Sequence, residues 1–315
     1  MRKFIARILC LILIVCLPFA LILLTVAPQY THGYDASFID KMKRLESIHE
    51  PKIVLVSNSN LAFGIQSEMI EDAIGMPVVN LGLHGGLGNV FHERMPLFNL
   101  TKGDIIVISH LDYSDDDTIS DSELALITVE NYFHYWKIFR AKDYPGIICT
   151  LPRYSLKCLY RFILQKDCEP AEPTCYTRSA FNVYGDNIFP RDIEAGESKP
   201  DLRHPKVNDI CMNRINRFYH YCKSKEVTVV ISGAPIISGL DGFNKDEYVN
   251  FQKKVELHAE CPVISDFTDY IFDKKYFYGG ALHMTNEGAK LRTEQLIKDL
   301  QKFFGDNKPI EDKGA

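Results

Sequence analysis

A short polar stretch follows an aliphatic run near the start of the chain, and it contains two serines. The stretch reads IVLVSNSNLAFGI (residues 53–65), so Ser57 and Ser59 come just after four aliphatic residues. Serine and asparagine are common in turns and at helix N-caps. A serine hydroxyl that a neighbouring base can deprotonate is also a nucleophile, and neutral histidine suits that task near pH 7. His283, in LHMTNEGA (residues 282–289), stands near the C-terminus, just before the last predicted helix.

Alternating strands and helices are predicted to position these residues. Strands are predicted at 53–56, 78–79, 104–109, 227–232 and 263–265, and helices at 66–74, 87–100, 122–139, 245–259 and 286–304. Short continuous apolar strands separated by helices indicate a parallel sheet that is covered on both faces. Ligands bind beyond the carboxyl ends of such strands. The stretches that contain Ser59, Gly82 and His110 all lie at those ends.

The order of three motifs resembles the SGNH/GDSL hydrolases. In that family a serine follows the first strand, a glycine follows the second, and a histidine stands just before the last helix. The matching motifs here are VSNSNLAFGI (56–65), NLGLHGG (80–86) and LHMTNEGA (282–289). The resemblance covers most of residues 50–304. It implies a three-layer α/β/α sandwich with a five-stranded parallel sheet, of the SGNH or flavodoxin-like kind.

The resemblance also implies a serine acyl-transfer site that needs no metal and no cofactor. Ser59 would be the nucleophile and His283 the general base and acid. The backbone N–H groups of Ser59 and Gly82 would donate to the oxyanion. Seven residues are candidates for substrate contact: Asn60, His84, His110, Arg178, Asn182, Tyr184 and Asp186.

Three positions depart from the family pattern. Ser57 replaces the usual glycine of the first motif, and SHLDYSD (109–115) lacks the Gly-x-Asn-Asp motif whose asparagine serves the oxyanion. An aspartate usually stands shortly before the histidine, where this chain has Gly-Gly at 279–280; the nearest upstream acid is Asp273. A histidine without that partner would have to be oriented by other means.

The first 27 residues predict a membrane anchor. Arg2, Lys3 and Arg7 precede 20 uncharged residues from Ile8 to Ala27. At about 1.5 Å per residue, this run spans about 30 Å. A cleaved signal peptide would have a shorter apolar core, so an uncleaved anchor is favoured. The positive-inside rule then places residues 28–315 in the periplasm or outside the cell.

The remaining regions follow from composition and, for the SGNH-like domain, from the resemblance. Residues 28–50 are predicted to be a linker and a short helix, 51–305 an SGNH-like domain with an insertion at about 113–205, and 306–315 a disordered tail. The net charge of −5 argues against a nucleic-acid partner. Among nine cysteines, Cys168 and Cys175 flank EPAEPT and are plausible disulfide partners in an oxidising compartment.

Two functions remain open at this stage. TRSAFNVYGD (177–186) and the Arg-Thr at 292–293 resemble a membrane-anchored branch that is associated with bacterial surface polysaccharides. This favours a serine esterase or O-acyltransferase that acts on a cell-surface or capsular polysaccharide, with a membrane-bound acyl donor protein as a candidate partner. The alternative is a catalytically degenerate protein that binds polysaccharide or supports its assembly or export.

Overall fold

A parallel sheet of four short strands organises the protein. The computed structural model describes residues 2–26, 28–166, 172–191, 205–238, 244–280 and 282–306, with the backbone alone at residues 2, 8, 9, 12, 13, 15 and 306. The strands run in the order β2-β1-β3-β4, and all neighbours are parallel. Their bounds are β1 Ile53–Val56, β2 Val78–Asn80, β3 Ile105–Ile108 and β4 Thr228–Ile231. The predicted α/β class with a parallel sheet is confirmed.

The predicted fifth strand at 263–265 is not a strand, so the expected five-stranded sheet has four. Val263 forms a single parallel bridge with Ile231 at the edge of β4. Pairing stops there because Pro262 has no N–H to extend the ladder. Asp266 then caps the 3-10 turn Phe267–Tyr270, which turns the chain away from the sheet.

Helices and two small ribbons surround the sheet. Within the described ranges the α-helices are α1 Arg2–Thr25, α2 Ser37–Ser47, α3 Ser59–Ala62, α4 Ser67–Ile74, α5 Asn89–Arg94, α6 Ser122–Val129, α7 Tyr144–Ile163, α8 Asp209–Lys223, α9 Lys245–His258 and α10 Asn286–Asp306. Two further strands, β5 Ile236–Ile237 and β6 Ile271–Phe272, pair in parallel. The strands β7 Phe277–Tyr278 and β8 His283–Met284 form an antiparallel hairpin.

Two helices predicted from the sequence are shorter than expected. The helix predicted at 87–100 is α5 followed by a 3-10 turn, Met95–Phe98, because Pro96 cannot donate a helical hydrogen bond. The helix predicted at 122–139 ends at Val129, since Glu130 has a positive φ of 38° that a helix cannot continue through.

Strand side chains alternate between two cores, which defines three layers. Residues such as Val54 and Ile106 join the larger core, while Leu55 and Val107 join the smaller one. The smaller core is covered by α4 and α10, through side chains that include Ile70, Leu296 and Leu300. The larger core is covered by α2, α6, α7 and α8. Both faces of the sheet are therefore buried, as the continuous apolar strands predict.

The N-terminal region is closely packed on the domain. Residues 28–50, predicted as a linker, contribute Tyr34, Phe38, Met42 and Leu45 to the larger core. Residues 2–25 form the predicted helix, α1. In the part of the chain that the structure describes, no helix meets the length and hydrophobicity of a membrane span.

Two predictions lie outside the described residues. Cys168 is one of the undescribed residues, so its pairing with the buried Cys175 stays a prediction. The tail predicted from residue 306 is likewise undescribed beyond Asp306.

Candidate active site

The site lies where the strand order reverses. From β1 the chain moves to β2 on one side, and it returns to β3 on the other side of β1. In open α/β sheets, the carboxyl ends of two such strands frame a ligand crevice. Ser59 lies at this point because α3 begins there: Asn58 caps the helix, with its Oδ1 accepting from the Asn60 N–H at 2.9 Å.

Ser59 and His283 lie within hydrogen-bonding distance. Ser59 Oγ is 3.0 Å from His283 Nε2. The histidine stands on β8, in the hairpin that leads directly into α10. At this distance the hydroxyl can donate to an unprotonated Nε2. The fold therefore brings the predicted nucleophile and the predicted base together.

The His283 ring is oriented by stacking. It lies parallel to the Phe63 ring, with centroids 4.0 Å apart and planes 10° apart. The buried Arg191 fixes both partners, since its guanidinium donates to the Met284 carbonyl at 3.1 Å and to the Phe63 carbonyl at 3.2 Å. The guanidinium carbon also lies 5.0 Å from the centre of the Phe63 ring. Stacking on Phe63, which is itself held by Arg191, thus orients the His283 ring.

The surroundings of His283 favour its neutral form. Burial, the largest cause, and the nearby charges of Arg191 and His84 together lower the pKa of this imidazole to about 4. No carboxylate bonds to the His283 ring in the described ranges, and Asp273 instead accepts from the Lys275 N–H at 3.0 Å. His283 is therefore unprotonated at neutral pH and available as a base.

The backbone turn at Ser59 is fixed from behind by Asn60. Arg292 donates to the Asn60 carbonyl at 2.6 Å and to its side-chain Oδ1 at 2.9 Å. Asn60 Nδ2 in turn donates to Ser57 Oγ at 2.8 Å and to the Ser109 carbonyl at 3.2 Å. Asn60 is fully buried, so these contacts shape the turn and leave its side chain out of reach of a substrate.

His110 also lies behind the turn. Its Nδ1 is 3.4 Å from Ser57 Oγ, and its Nε2 is 3.2 Å from a carboxylate oxygen of Glu93. Arg214 donates to the same carboxylate at 2.7 Å. All of these side chains are buried. The arrangement supports the carboxyl ends of β1 and β3 and does not face the crevice.

One of the two predicted oxyanion donors is already engaged. The Gly82 N–H donates to Asn80 Oδ1 at 2.9 Å. A side chain at this glycine would also place a Cβ 2.5 Å from the Ala62 nitrogen, so Gly82 permits close packing against α3. The Ser59 N–H, the other predicted donor, stands at the start of α3, next to the parallel bridge between Asn58 and Leu83. Of the two predicted donors, Ser59 stays the candidate to meet an oxyanion.

Four candidate substrate residues, Arg178, Asn182, Tyr184 and Asp186, form a polar turn that joins parts of the fold. Arg178 pairs with Asp40 through two contacts of 2.6 Å. Asn182 Oδ1 accepts from the N–H groups of Tyr184 at 3.0 Å and Asp186 at 2.9 Å.

Asp186 is buried and ties this turn to the start of α4. Its carboxylate accepts from the Ser67 N–H at 2.7 Å and from Asn80 Nδ2 at 2.8 Å. Because Asn80 holds Gly82, this turn supports the glycine motif from behind.

His84 remains at the site. Its Nδ1 accepts from the Gly86 N–H at 2.9 Å, which leaves Nε2 as the protonated nitrogen of the neutral ring. The side chain is exposed, and its ring packs edge-on against Tyr34, which stacks on Phe63 next to His283. His84 is the predicted substrate residue that a ligand could contact. Among the described residues, no group of histidine, cysteine and carboxylate side chains could hold a metal ion.

Sequence reasoning missed two residues that shape the site. Phe63 lies inside the serine motif, where an apolar residue is expected only to be buried. Arg191 follows Pro190 at the end of the insertion, with no motif around it. Only the folded chain shows that Phe63 stacks on His283 and that Arg191 binds the Phe63 and Met284 carbonyls.

Comparison with known proteins adds one structural likeness. No family model matches the chain, and no curated protein matches it. Among solved structures, the chain is similar to a GDSL-like lipase from Bacteroides thetaiotaomicron, with 10% identity and a TM-score of 0.39 over 85% of this chain and 99% of that one.

Proposed function

We propose that the protein is a serine esterase or O-acyltransferase in which Ser59 and His283 form a catalytic dyad. The observation that carries this proposal is the 3.0 Å contact between Ser59 Oγ and a histidine that is neutral at pH 7. A nucleophile hydrogen-bonded to a base, with that base oriented by further groups, is the arrangement that covalent acyl transfer requires.

The chemistry proceeds in two halves. Ser59 Oγ attacks the carbonyl carbon of an ester while its proton passes to His283 Nε2, and the resulting oxyanion accepts a hydrogen bond from the Ser59 N–H. Collapse of the tetrahedral intermediate breaks the bond to the alcohol, which takes the proton from His283. Water or an acceptor hydroxyl then gives its proton to His283 and attacks the acyl-enzyme. A second collapse releases the acyl group and returns the proton to Ser59.

The geometry of the site supports only a modest rate of acyl transfer. His283 becomes a cation in the transition state, and both burial and Arg191 oppose that charge. With the Gly82 amide donating to Asn80, the oxyanion meets one backbone donor. Loss of one such donor costs about 10²–10³ in rate elsewhere. We therefore expect activated esters to turn over more readily than unactivated ones.

The proposed substrate is an acylated cell-surface or capsular polysaccharide. Tyr176 supports this class, since it is exposed and lies 6.4 Å from the His283 ring, where its face could stack on a sugar. The uncharged run from Ile8 to Ala27 supports a membrane anchor that holds residues 28–315 outside the cytoplasm. A membrane-bound acyl donor protein is the corresponding partner for the transferase form of the activity.

The test is turnover of p-nitrophenyl acetate by the full chain in detergent, compared with Ser59→Ala. We expect the variant to lose the burst of p-nitrophenol and the steady turnover. Ser47→Ala is the control, because Ser47 is exposed at the end of α2 and should leave the burst in place. A burst that persists unchanged in Ser59→Ala would overturn the proposal.

A catalytically degenerate polysaccharide-binding protein is the second candidate. It is favoured by the lack of a carboxylate on His283 in the described ranges and by the engagement of the Gly82 amide. Such a protein would bind polysaccharide equally well with Ser59→Ala and would show no burst in the wild type. Calorimetry with an acetylated surface polysaccharide, run beside the turnover assay, separates the two candidates.

A further inference from the structure

Helix α7 carries an exposed apolar stripe that the proposed chemistry does not use. Its side chains stand at every fourth residue from 144 to 164, apart from Pro152, and Ile163 lies on the same side of the helix. They are exposed by between 37% and 66% and continue into the residue after the helix: Tyr144, Ile148, Leu156, Tyr160, Ile163 and Leu164. The opposite face packs into the larger core through Ile147, Tyr154 and Cys158. The helix is therefore amphipathic, and its outward face is apolar.

The charged residues of α7 are all basic. They are Arg153, Lys157 and Arg161, four residues apart, and the helix contains no aspartate or glutamate. Arg153 and Lys157 share a single acidic partner, Glu123, and Arg161 donates to the Gln29 carbonyl at 2.9 Å. Among the described residues, Arg153 and Lys157 thus share one carboxylate, so this pair keeps a net positive charge beside the apolar stripe.

The stripe is continuous with the exposed surface of α1. Ser155 Oγ on α7 lies 3.4 Å from the Phe19 carbonyl of α1, and Leu23 is buried in the core that α7 also enters. The outward side chains Leu17, Leu21 and Leu24 of α1 remain exposed. Both helices thus expose apolar side chains where they pack together.

The exit from α1 is fixed to the domain. Glu130 accepts from the Gln29 N–H at 2.8 Å and from the Tyr30 N–H at 2.5 Å. Tyr30 also stacks on Tyr154 of α7, with centroids 6.4 Å apart. These contacts hold the end of α1 against α7. Any surface that contacts one of these two helices would therefore also contact the other.

We infer that α7 lies in the interfacial layer of an anionic phospholipid bilayer, beside α1. Its apolar stripe would enter the acyl-chain boundary about 5–10 Å below the surface, and its basic residues would meet anionic headgroups. An apolar face with lysine and arginine along its polar side fits this surface better than it fits a second copy of the chain, where like charges would meet. The inference rests on the membrane placement proposed above, and not on the serine chemistry.

The test is quenching of a single tryptophan by brominated phospholipid. The full chain is reconstituted in vesicles of phosphatidylcholine and phosphatidylglycerol, with Trp136→Phe removing the one native tryptophan. Leu156→Trp reports on α7, and Ile14→Trp reports on α1. Leu257→Trp is the matched control, since Leu257 is 80% exposed on α9. If the chain does not fold with Trp136→Phe, the same substitutions are made in the wild-type chain. The quenching of Trp136 measured in the wild type is then subtracted.

We expect bromine near the headgroup end of the acyl chains to quench the tryptophan at 156 at least threefold more than the one at 257. Equal quenching at 156 and 257 with strong quenching at 14 would overturn the inference and leave the anchor in place. Lack of quenching at both 156 and 14 would overturn the membrane placement as well. The tryptophan of Leu156→Trp could instead become shielded from solvent as the protein concentration rises, without quenching by bromine. That result would assign the stripe to a second copy of the chain and would also overturn the inference.

Discussion

Replacing Arg191 by glutamine should raise the pKa of His283 by about one unit. Arg191 is buried, and its guanidinium carbon is 5.0 Å from the Phe63 ring centre, from which the His283 ring lies 4.0 Å. The two groups are therefore no more than about 9 Å apart. At an effective dielectric constant of about 20, two unit charges at that distance repel by about 1.8 kcal/mol, or about 1.3 pKa units. Removing the charge should move the pKa from about 4 to about 5.

The assay is a titration of the His283 ring by NMR in a chain labelled at its histidine ring carbons, with His283→Gln used to assign the signal. The same midpoint should appear as the acid limb of the rate at which a fluorophosphonate labels Ser59, because only the neutral ring can accept the proton. Activity should therefore persist well below pH 6.5 in the wild type and fall at higher pH in Arg191→Gln.

Arg191→Lys is the matched control. It keeps the positive charge but loses the fork that donates to Met284 and Phe63. The lysine variant should keep a His283 pKa near 4, although its labelling rate falls because the ring is less well held. Equal pKa values in the glutamine and lysine variants, or a wild-type pKa at the ordinary 6.5, would refute the electrostatic reasoning.

Two further predictions concern packing and buried charge. Gly82→Ala would place a methyl group 2.5 Å from the Ala62 nitrogen. We expect this variant to lower the free energy of unfolding, measured in urea, by about 1–3 kcal/mol and to reduce the labelling of Ser59. Unchanged labelling would contradict the role given to this glycine. Lys52→Met would leave Asp104 buried without its 3.0 Å ion-pair partner, and we expect a loss of about 3–5 kcal/mol. Adding Asp104→Leu should recover part of that loss, and a double variant as unstable as the single one would count against the pairing.

The elements that the sequence predicted well are those with strong local signals. The strands predicted at 53–56, 78–79 and 104–109 contain continuous apolar runs, and such runs specify buried parallel strands whatever the rest of the chain does. Ser59 and His283 could be paired because the order of their motifs resembles that of the SGNH/GDSL hydrolases. The strand and helix patterns alone single out neither residue.

The parts that were missed depend on contacts between distant residues. Arg191 is recognisable as a site residue only through the carbonyls of Met284 and Phe63, and no local pattern encodes those contacts. His110 appears at a strand end in the sequence, yet the pairing with Glu93 turns it away from the crevice. The fifth strand failed for a local reason, the missing N–H of Pro262.

The most direct measurement of the central claim is the site of covalent labelling. The full chain is incubated with a fluorophosphonate at neutral pH, digested, and analysed by mass spectrometry, in parallel with His283→Gln. We predict one adduct on Ser59 in the wild type and at least a tenfold slower adduct in the variant. An adduct on another serine, or none under conditions in which the chain is folded, would contradict the assignment of Ser59 and His283 as a catalytic dyad.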